Sequence, residues 1–380
     1  RELDLYYAKE SGAREAEDFL TVLQAFAPSE NDAVVKEFLD GSDVVYLSEE
    51  AKVEDNPPIK LRNNRFFKMF EVLTGMYGMP VYNEFDPTPV LGPFFLLFFS
   101  MCMGDAGYGI ILVILGLLAK KLLPSMSDLA PLVTALGVST TVIGFILGTF
   151  FGINLYEAAW YPETLKGLIV HGKVMGYDAQ MVLAVGIGIF HICLAMIIKS
   201  ICFTCANGFR ATLGTWGWTL LIIGGLIIAG LSLLGVMDST VTKIAVIVLG
   251  VVSAMGIYFF NTPGRNPLLN LGSGLWDTYS MVTGLLGDVL SYIRLYALGL
   301  AGGMLGGVFN LLGSQILDMP IPGLNIILMV FILVFGHTLN IAMSCLGAFV
   351  HPLRLTVVEY FKNVGYQGQG AVYNPLKKNK

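Results

Sequence analysis

Two arginines in a stretch otherwise stripped of charge are the residues best placed to do chemistry. Residues 295–317, after Arg294, contain no Asp, Glu, Lys or Arg, and residues 319–353, before Arg354, are equally bare. An arginine in a lipid-facing helix costs roughly 2.5–3.5 kcal/mol on insertion scales, and more by simulation. Such a pair argues for a water-filled path or a charged partner inside the membrane, and so for movement of an ion. A second pattern leads into Arg354. His337, Asn340, Ser344, Gly347, His351 and Arg354 recur at alternating spacings of three and four. On a helix these positions fall within about 100° of arc. The ordinary use of such a stripe is a polar seam hydrogen-bonded to neighbouring helices. With Arg354 closing it and Arg294 on the preceding helix, the stripe reads instead as the lining of an aqueous half-channel. His337 and His351 suit proton relay there, because imidazole changes charge near neutral pH.

Around Arg294 the residues are small: Gly287 and Ser291 before it, then Ala297, Gly299, Ala301, Gly302, Gly303, Gly306 and Gly307. Small residues let a helix come close, either for static packing within the protein or for a partner passing Arg294. Asp288 is six residues from Arg294, about 240° around a helix, so an intrahelical salt bridge is not expected. Asp277 and Asp288, eleven apart, share a face as carboxylates of an ion path or as ordinary interfacial acids. Other signals are bland. Asp105 in Met103-Gly104-Asp105-Ala106-Gly107 reads as a helix cap, and His191, alone on an apolar helix, as a packing histidine. Cys202-x-x-Cys205 has no second pair to complete a zinc site. Gly186-Ile187-Gly188 follows no strand and is no phosphate loop. No Walker-type sequence, nucleophile motif, metal cluster or cofactor motif occurs, so ATP hydrolysis is not expected of this chain.

The elements that must hold these residues are membrane helices. Of 380 residues 55% are hydrophobic and 13% charged, with a mean hydropathy of +0.69, the composition of a polytopic membrane protein. Charge is uneven: 18 acids and 9 bases lie in residues 1–90, against 10 acids and 14 bases in 91–380. The first part therefore reads as soluble. It has no initiator Met, basic leader or cleavage site, and its amphipathic pieces EAEDFLTVLQAF and ENDAVVKEFLDG suggest the tail of a longer soluble domain. Segments near 128–156, 178–199, 211–237, 243–262 and 324–352 each clear the ~20 residues that span a bilayer. Trp216, Trp218 and Tyr258 suit interfacial anchoring.

Residues 89–119 could cross once, or twice as a short hairpin. A hairpin puts Arg62, Arg65, Lys68, Lys120, Lys121, Lys199, Arg210, Arg265, Lys362, Lys377, Lys378 and Lys380 on one side and only Lys166, Lys173 and Lys243 on the other. The positive-inside rule then favours the hairpin. The expectation is an all-α polytopic membrane protein of about eight membrane helices, both ends cytoplasmic, with a small α/β remnant of a soluble domain at the N-terminus. Expected boundaries are 1–85 for the soluble part, 86–362 for the membrane domain and 363–380 for a cytoplasmic tail. One helix, 275–315, would run about 60 Å, so it must be steeply tilted or broken near Gly284-Leu285-Leu286-Gly287.

Four separated motifs, in order, carry a family resemblance. SYIRLYALGLAGGML (291–305) resembles the arginine helix of the a/I subunit of V-type and A-type rotary ATPases, and HPLRLTVVEYF (351–361) its second-arginine segment. PPIKLRNNRFFKMFEVLTGMYGMPVYNEFDPTPVLGPFF (57–95) and FFSMCMGDAGYG (98–109) resemble its junction between soluble and membrane domains. The resemblance implies a stator subunit, non-catalytic itself, in a prokaryotic plasma membrane. It implies two half-channels that pass protons, or sodium ions, to and from carboxylates of a rotating proteolipid c/K ring. It further implies peripheral- and central-stalk partners through the cytoplasmic domain, a lipid bilayer around the helices, and no nucleic acid. Arg294 would face the rotor carboxylate, assisted by Arg354, with His351 and Glu359 matching family positions beside the second arginine. Ser344 and Ser280 stand where eukaryotic relatives carry acids, and Asp288 is a candidate substitute. The competing reading from residues alone is a secondary transporter binding an anionic substrate at its arginines, a class that favours inverted repeats; no convincing repeat occurs here.

Overall fold

The computed structural model describes residues 13–16, 20–23, 25–42, 44–82, 84–122, 129–158, 161–259, 267–318 and 323–373. Arg265, Lys377, Lys378 and Lys380, used above in the charge argument, lie outside them. The chain divides into two compact units, Arg1–Thr88 with Tyr366–Lys380, and Pro89–Gly365.

The first unit holds an antiparallel hairpin, β1 (Ala13–Ala16) with β2 (Leu20–Leu23), in the register Ala13↔Leu23 to Ala16↔Leu20. Helix α1 (Asp32–Asp40) opens on an acid, which suits the positive end of the helix dipole. It carries an i,i+4 ion pair, Lys36 to Asp32 at 2.7 Å, and stops at Gly41. Two short helices follow, α2 (Arg65–Lys68) and α3 (Glu71–Tyr77). The C-terminal segment packs on them: Ile59 bridges Val372, Met79 bridges Gly370, and the Tyr366 hydroxyl donates to Gly78 O at 2.8 Å.

The second unit is helical. Helices α4 (Thr88–Met103) and α5 (Ala106–Leu122) are joined by Gly104 and Asp105, as the hairpin reading requires, and run 16 and 17 residues. Gly104 makes the turn with φ +61°, a conformation other residues resist. Next come α6 (Ala130–Leu147), a tight pair β3 (Thr149–Phe150) and β4 (Ile153–Asn154), the short α7 (Glu163–Lys166), and a second pair β5 (Lys173–Val174) and β6 (Tyr177–Asp178). The long rods are α8 (Ala179–Asn207), α9 (Leu213–Leu233), α10 (Ser239–Phe259), α11 (Pro267–Leu317) and α12 (Leu324–Arg354). A π-helical turn, Leu355–Tyr360, leads into α13 (Phe361–Val364). Among the described residues six helical stretches are long and apolar enough to cross a membrane, with Thr88–Met103 as a shorter apolar helix.

Two features set the architecture. Helices α5 and α6 lie almost backbone to backbone: a Cβ on Gly109 would fall 2.5 Å from Thr141 N, and one on Gly144 2.3 Å from Ala106 N. Small residues at such crossings are how apolar helices gain contact where lipid supplies no hydrophobic drive. The second is α11, continuous over 51 residues and unbroken at Gly284–Gly287. Of the two outcomes expected for it, the break does not occur. Its length is about 77 Å at 1.5 Å per residue, more than twice the ~30 Å of a hydrocarbon core.

Candidate functional site

Three polar clusters lie within the apolar helices of the second unit. The first contains the arginines. Arg294 is half-buried on α11, in line with the exposed Leu286, Leu290, Ala297, Ala301 and Met304. At 100° per residue these positions share about 80° of arc, so the guanidinium stems from a long face left open by the described residues. Arg354, exposed, ends α12. His351 lies one turn before it, within the fields of both guanidiniums, and its Nδ1 is buried without a hydrogen-bond partner among the described residues. The ion pairs among the described residues all fall in the first unit. No described carboxylate lies within 4.0 Å of either arginine.

The second cluster takes up the other half of the polar stripe. Asn340, 1% exposed, donates from Nδ2 to Tyr108 Oη at 2.8 Å and to Gly302 O at 2.9 Å. Tyr108 Oη is 2.8 Å from His337 Nδ1, and His337 Nε2 is 3.1 Å from Asn310 Oδ1. Asn310 Nδ2 donates in turn to Phe151 O at 2.7 Å, and Ser344 Oγ to Asn340 Oδ1 at 3.3 Å. The chemistry of the groups fixes the direction of each bond. Asn310 Oδ1 can only accept, so His337 Nε2–H donates to it; in the neutral imidazole Nδ1 is then the acceptor for the Tyr108 hydroxyl, whose oxygen takes the Asn340 bond. The network thereby holds the Nε2–H tautomer of a neutral His337 at both nitrogens.

The third cluster pairs acids. Asp288 on α11 and Glu359 in the π-helical turn are 5% and 7% exposed. Asp288 Oδ2 accepts from Asn363 Nδ2 at 3.0 Å. Glu359 lies beside Asp288 and Ser291, within the fields of Arg354 and Lys362. The π-helical turn begins at Leu355, directly after Arg354 and three residues beyond Pro352, whose ring removes a helical N–H. Such turns occur often at functional sites.

The structure thus groups Arg294 with His351 and Arg354, His337 with Asn340 and Ser344, and Asp288 with Glu359. Reading along the chain missed Tyr108 and Asn310, which hold His337, because the partners lie 229 and 27 residues away from it. Several small residues near Arg294 serve static packing. A Cβ on Gly299 would meet Met101 O at 2.5 Å, one on Gly302 Ser344 Oγ at 3.0 Å, and one on Gly306 Gly152 Cα at 3.1 Å. Ala297 and Ala301 remain on the open face. Asp105 is the cap it was read as, and more. Its Oδ1 accepts from Gly107 N, Tyr108 N and Phe151 N at 2.8, 3.2 and 2.9 Å, and its Oδ2 from Gly152 N at 2.7 Å. His191 is 1% exposed and packed among aromatic rings.

Long apolar helices carrying internal arginines, acids and a polar seam define an integral membrane protein. A profile of the V-type ATPase 116kDa subunit family matches residues 14–125 and 277–378, which hold both arginines and all three clusters apart from Phe151. The chain belongs to that family. It is similar to A-type ATP synthase subunit I of Methanocaldococcus jannaschii, 31% identical over 397 residues that cover 94% of this chain and 55% of the relative. The subunit of the same name from Pyrococcus abyssi is 33% identical over 354 residues, covering 90% and 51%. V-type ATP synthase subunit I 1 of Treponema pallidum is 30% identical over 346 residues, covering 86% and 53%. The chain spans about half the length of the curated relatives it matches.

Proposed function

We propose that this chain is the membrane part, with the end of the cytoplasmic part, of a non-catalytic stator subunit in a rotary ATPase of A or V type. Residues 1–85 are then the end of the cytoplasmic domain, 86–362 the ion-translocating domain and 363–380 a cytoplasmic tail. Eight helices cross a prokaryotic plasma membrane, with α4 and α5 as the short pair. Arg294 faces a carboxylate of the proteolipid ring. A carboxylate beside a fixed guanidinium stays ionised and releases its proton or sodium ion. Away from Arg294 it is neutralised and passes through lipid. Arg354 and His351 support the same charge, Asp288 and Glu359 line the cytoplasmic half-channel, and His337, Asn340 and Ser344 line the other. Stalk subunits attach through the cytoplasmic domain.

One observation carries this reading: Arg294 opens onto an uncovered face flanked by Ala297 and Ala301, with no described carboxylate of its own chain within ion-pair distance. A charge left unpaired on a lipid-facing helix is costly, so a partner from outside the chain is the economical solution. The test is ATP-driven ion uptake by the reconstituted complex. Arg294→Ala is expected to abolish uptake while the proteolipid ring still co-purifies. Near-normal uptake would sink the proposal.

A further inference from the structure

The face of α11 opposite Arg294 is fastened to α8 at two successive turns. Tyr292 and Tyr296 lie about 40° apart on α11, and Arg294 lies about 180° from their midpoint. The Tyr292 hydroxyl is 2.9 Å from His191 Nδ1. Its ring sits over Gly188, where a Cβ would fall 2.2 Å from Tyr292 Cγ, so only glycine leaves room for it. One turn further on, Tyr296 Oη donates to Asp178 Oδ2 at 2.8 Å. The same Asp178 caps α8 by accepting from Gln180 N.

His191 is itself held on other sides. Its ring is 4.2 Å from Phe94, 4.9 Å from Tyr360 at 14° between planes, and edge-on to Phe98 at 5.2 Å. Phe94 and Phe98 come from α4, and Tyr360 follows Arg354 by six residues. One buried imidazole therefore touches α4, α11 and the segment after the second arginine. A core imidazole needed only to fill space would be replaceable by leucine. Here its nitrogen marks the rotation of α11 at the level of Arg294.

We propose that His191, Tyr292 and Tyr296, with Gly188 as socket, are positioning residues: a rotational lock that aims Arg294 at the open face of α11. The proposal rests on the ion-handling reading of Arg294 given above. Losing the buried Tyr292–His191 hydrogen bond shifts a conformational balance about threefold to tenfold, and losing the exposed Tyr296–Asp178 bond adds a smaller factor. A lock of this kind acts on the number of ions moved per ATP hydrolysed, whereas a purely structural contact acts on how much complex assembles.

The experiment reconstitutes the whole complex, ring included, in vesicles and reads ions moved per ATP together with the yield of assembled complex. Tyr292→Phe combined with Tyr296→Phe is expected to lower the ratio about tenfold or more. His191→Leu is expected to lower it severalfold, and His191→Gln, which keeps an acceptor for Tyr292, to restore much of it. A wild-type ratio in the double tyrosine variant, with Arg294→Lys collapsing it, overturns the lock and leaves the reading of Arg294 intact. A wild-type ratio in Arg294→Lys overturns that reading and the lock with it. Should the double variant fail to assemble, the histidine pair decides. A higher ratio with Gln than with Leu supports the lock, and equal ratios overturn it.

Discussion

Replacing Asp105 by asparagine tests how much one buried carboxylate contributes to the second unit. The side chain is fully buried and accepts from four backbone N–H groups, two at the start of α5 and two, Phe151 and Gly152, in the turn between β3 and β4. No described cation pairs with it, so those four dipoles hold the charge. Asparagine keeps one acceptor oxygen and turns an NH2 toward one set of donors. In the arrangement that keeps the Oδ1 bonds, Gly152 N–H then faces another donor. A buried N–H without an acceptor costs about 1–3 kcal/mol, and the remaining bonds lose the charge that roughly doubles their strength. Together the loss is about 2–4 kcal/mol. At about 2 °C per kcal/mol for a unit of this size, the melting midpoint falls by about 4–8 °C. The assay is thermal unfolding in mild detergent of a background in which Cys193, Cys202, Cys205 and Cys345 are replaced by serine, followed by a thiol-reactive dye that then reports the buried Cys102, 2% exposed and three residues from Asp105. Asp105→Ala, which leaves four donors without a partner, should fall further. A midpoint for Asp105→Asn within about 1 °C of the parent would refute the reasoning.

Tyr108→Phe removes the oxygen shared by His337 and Asn340; unfolding stability should drop by about 1–3 kcal/mol, and ion uptake should fall if the seam lines a path. Gly152→Ala combines φ +74° with a Cβ 2.4 Å from Gly306 C, so a loss of several kcal/mol is expected in the same unfolding assay. Burial pushes the Tyr366 hydroxyl well above the usual tyrosine range. The folded first unit therefore keeps a proton that the unfolded chain releases from about pH 10 upward. Its stability declines through that window and is unaffected below it. Tyr366→Phe should flatten that part of a pH titration of chemical unfolding, at a cost of about 1 kcal/mol near neutrality.

Much of this was legible along the chain. Charge-free runs and periodicity located the helices because lipid forces backbone hydrogen bonds to close within each segment. Helix α11 also stays intact through Gly284 and Gly287, because an isolated glycine costs a helix only about 1 kcal/mol relative to alanine and the hydrogen bonds of the turns on either side outweigh that. Arg294 and Arg354 stood out by their cost. Tyr108, Asn310 and Tyr292 did not, since an aromatic or amide on an apolar helix looks like ordinary packing until its partner, far away in sequence, is known. Asp105 could be read as a cap from its own turn, but its bonds to Phe151 and Gly152 depend on how α6 returns the chain. The acid pair of Asp288 and Glu359 was hidden for the same reason, 71 residues separating its members.

The unbroken course of α11 has a mechanical consequence. A helix with a hinge at its middle would let a sideways load on Arg294 dissipate locally as a change of bend. A continuous rod passes that load along its axis as a beam does. The reaction forces appear at all of its fastenings, not only at Tyr292 and Tyr296 beside the arginine but also at Tyr258 Oη, 3.1 Å from Thr278 Oγ1 toward one end, and at the Phe309 ring seated over Gly336 toward the other.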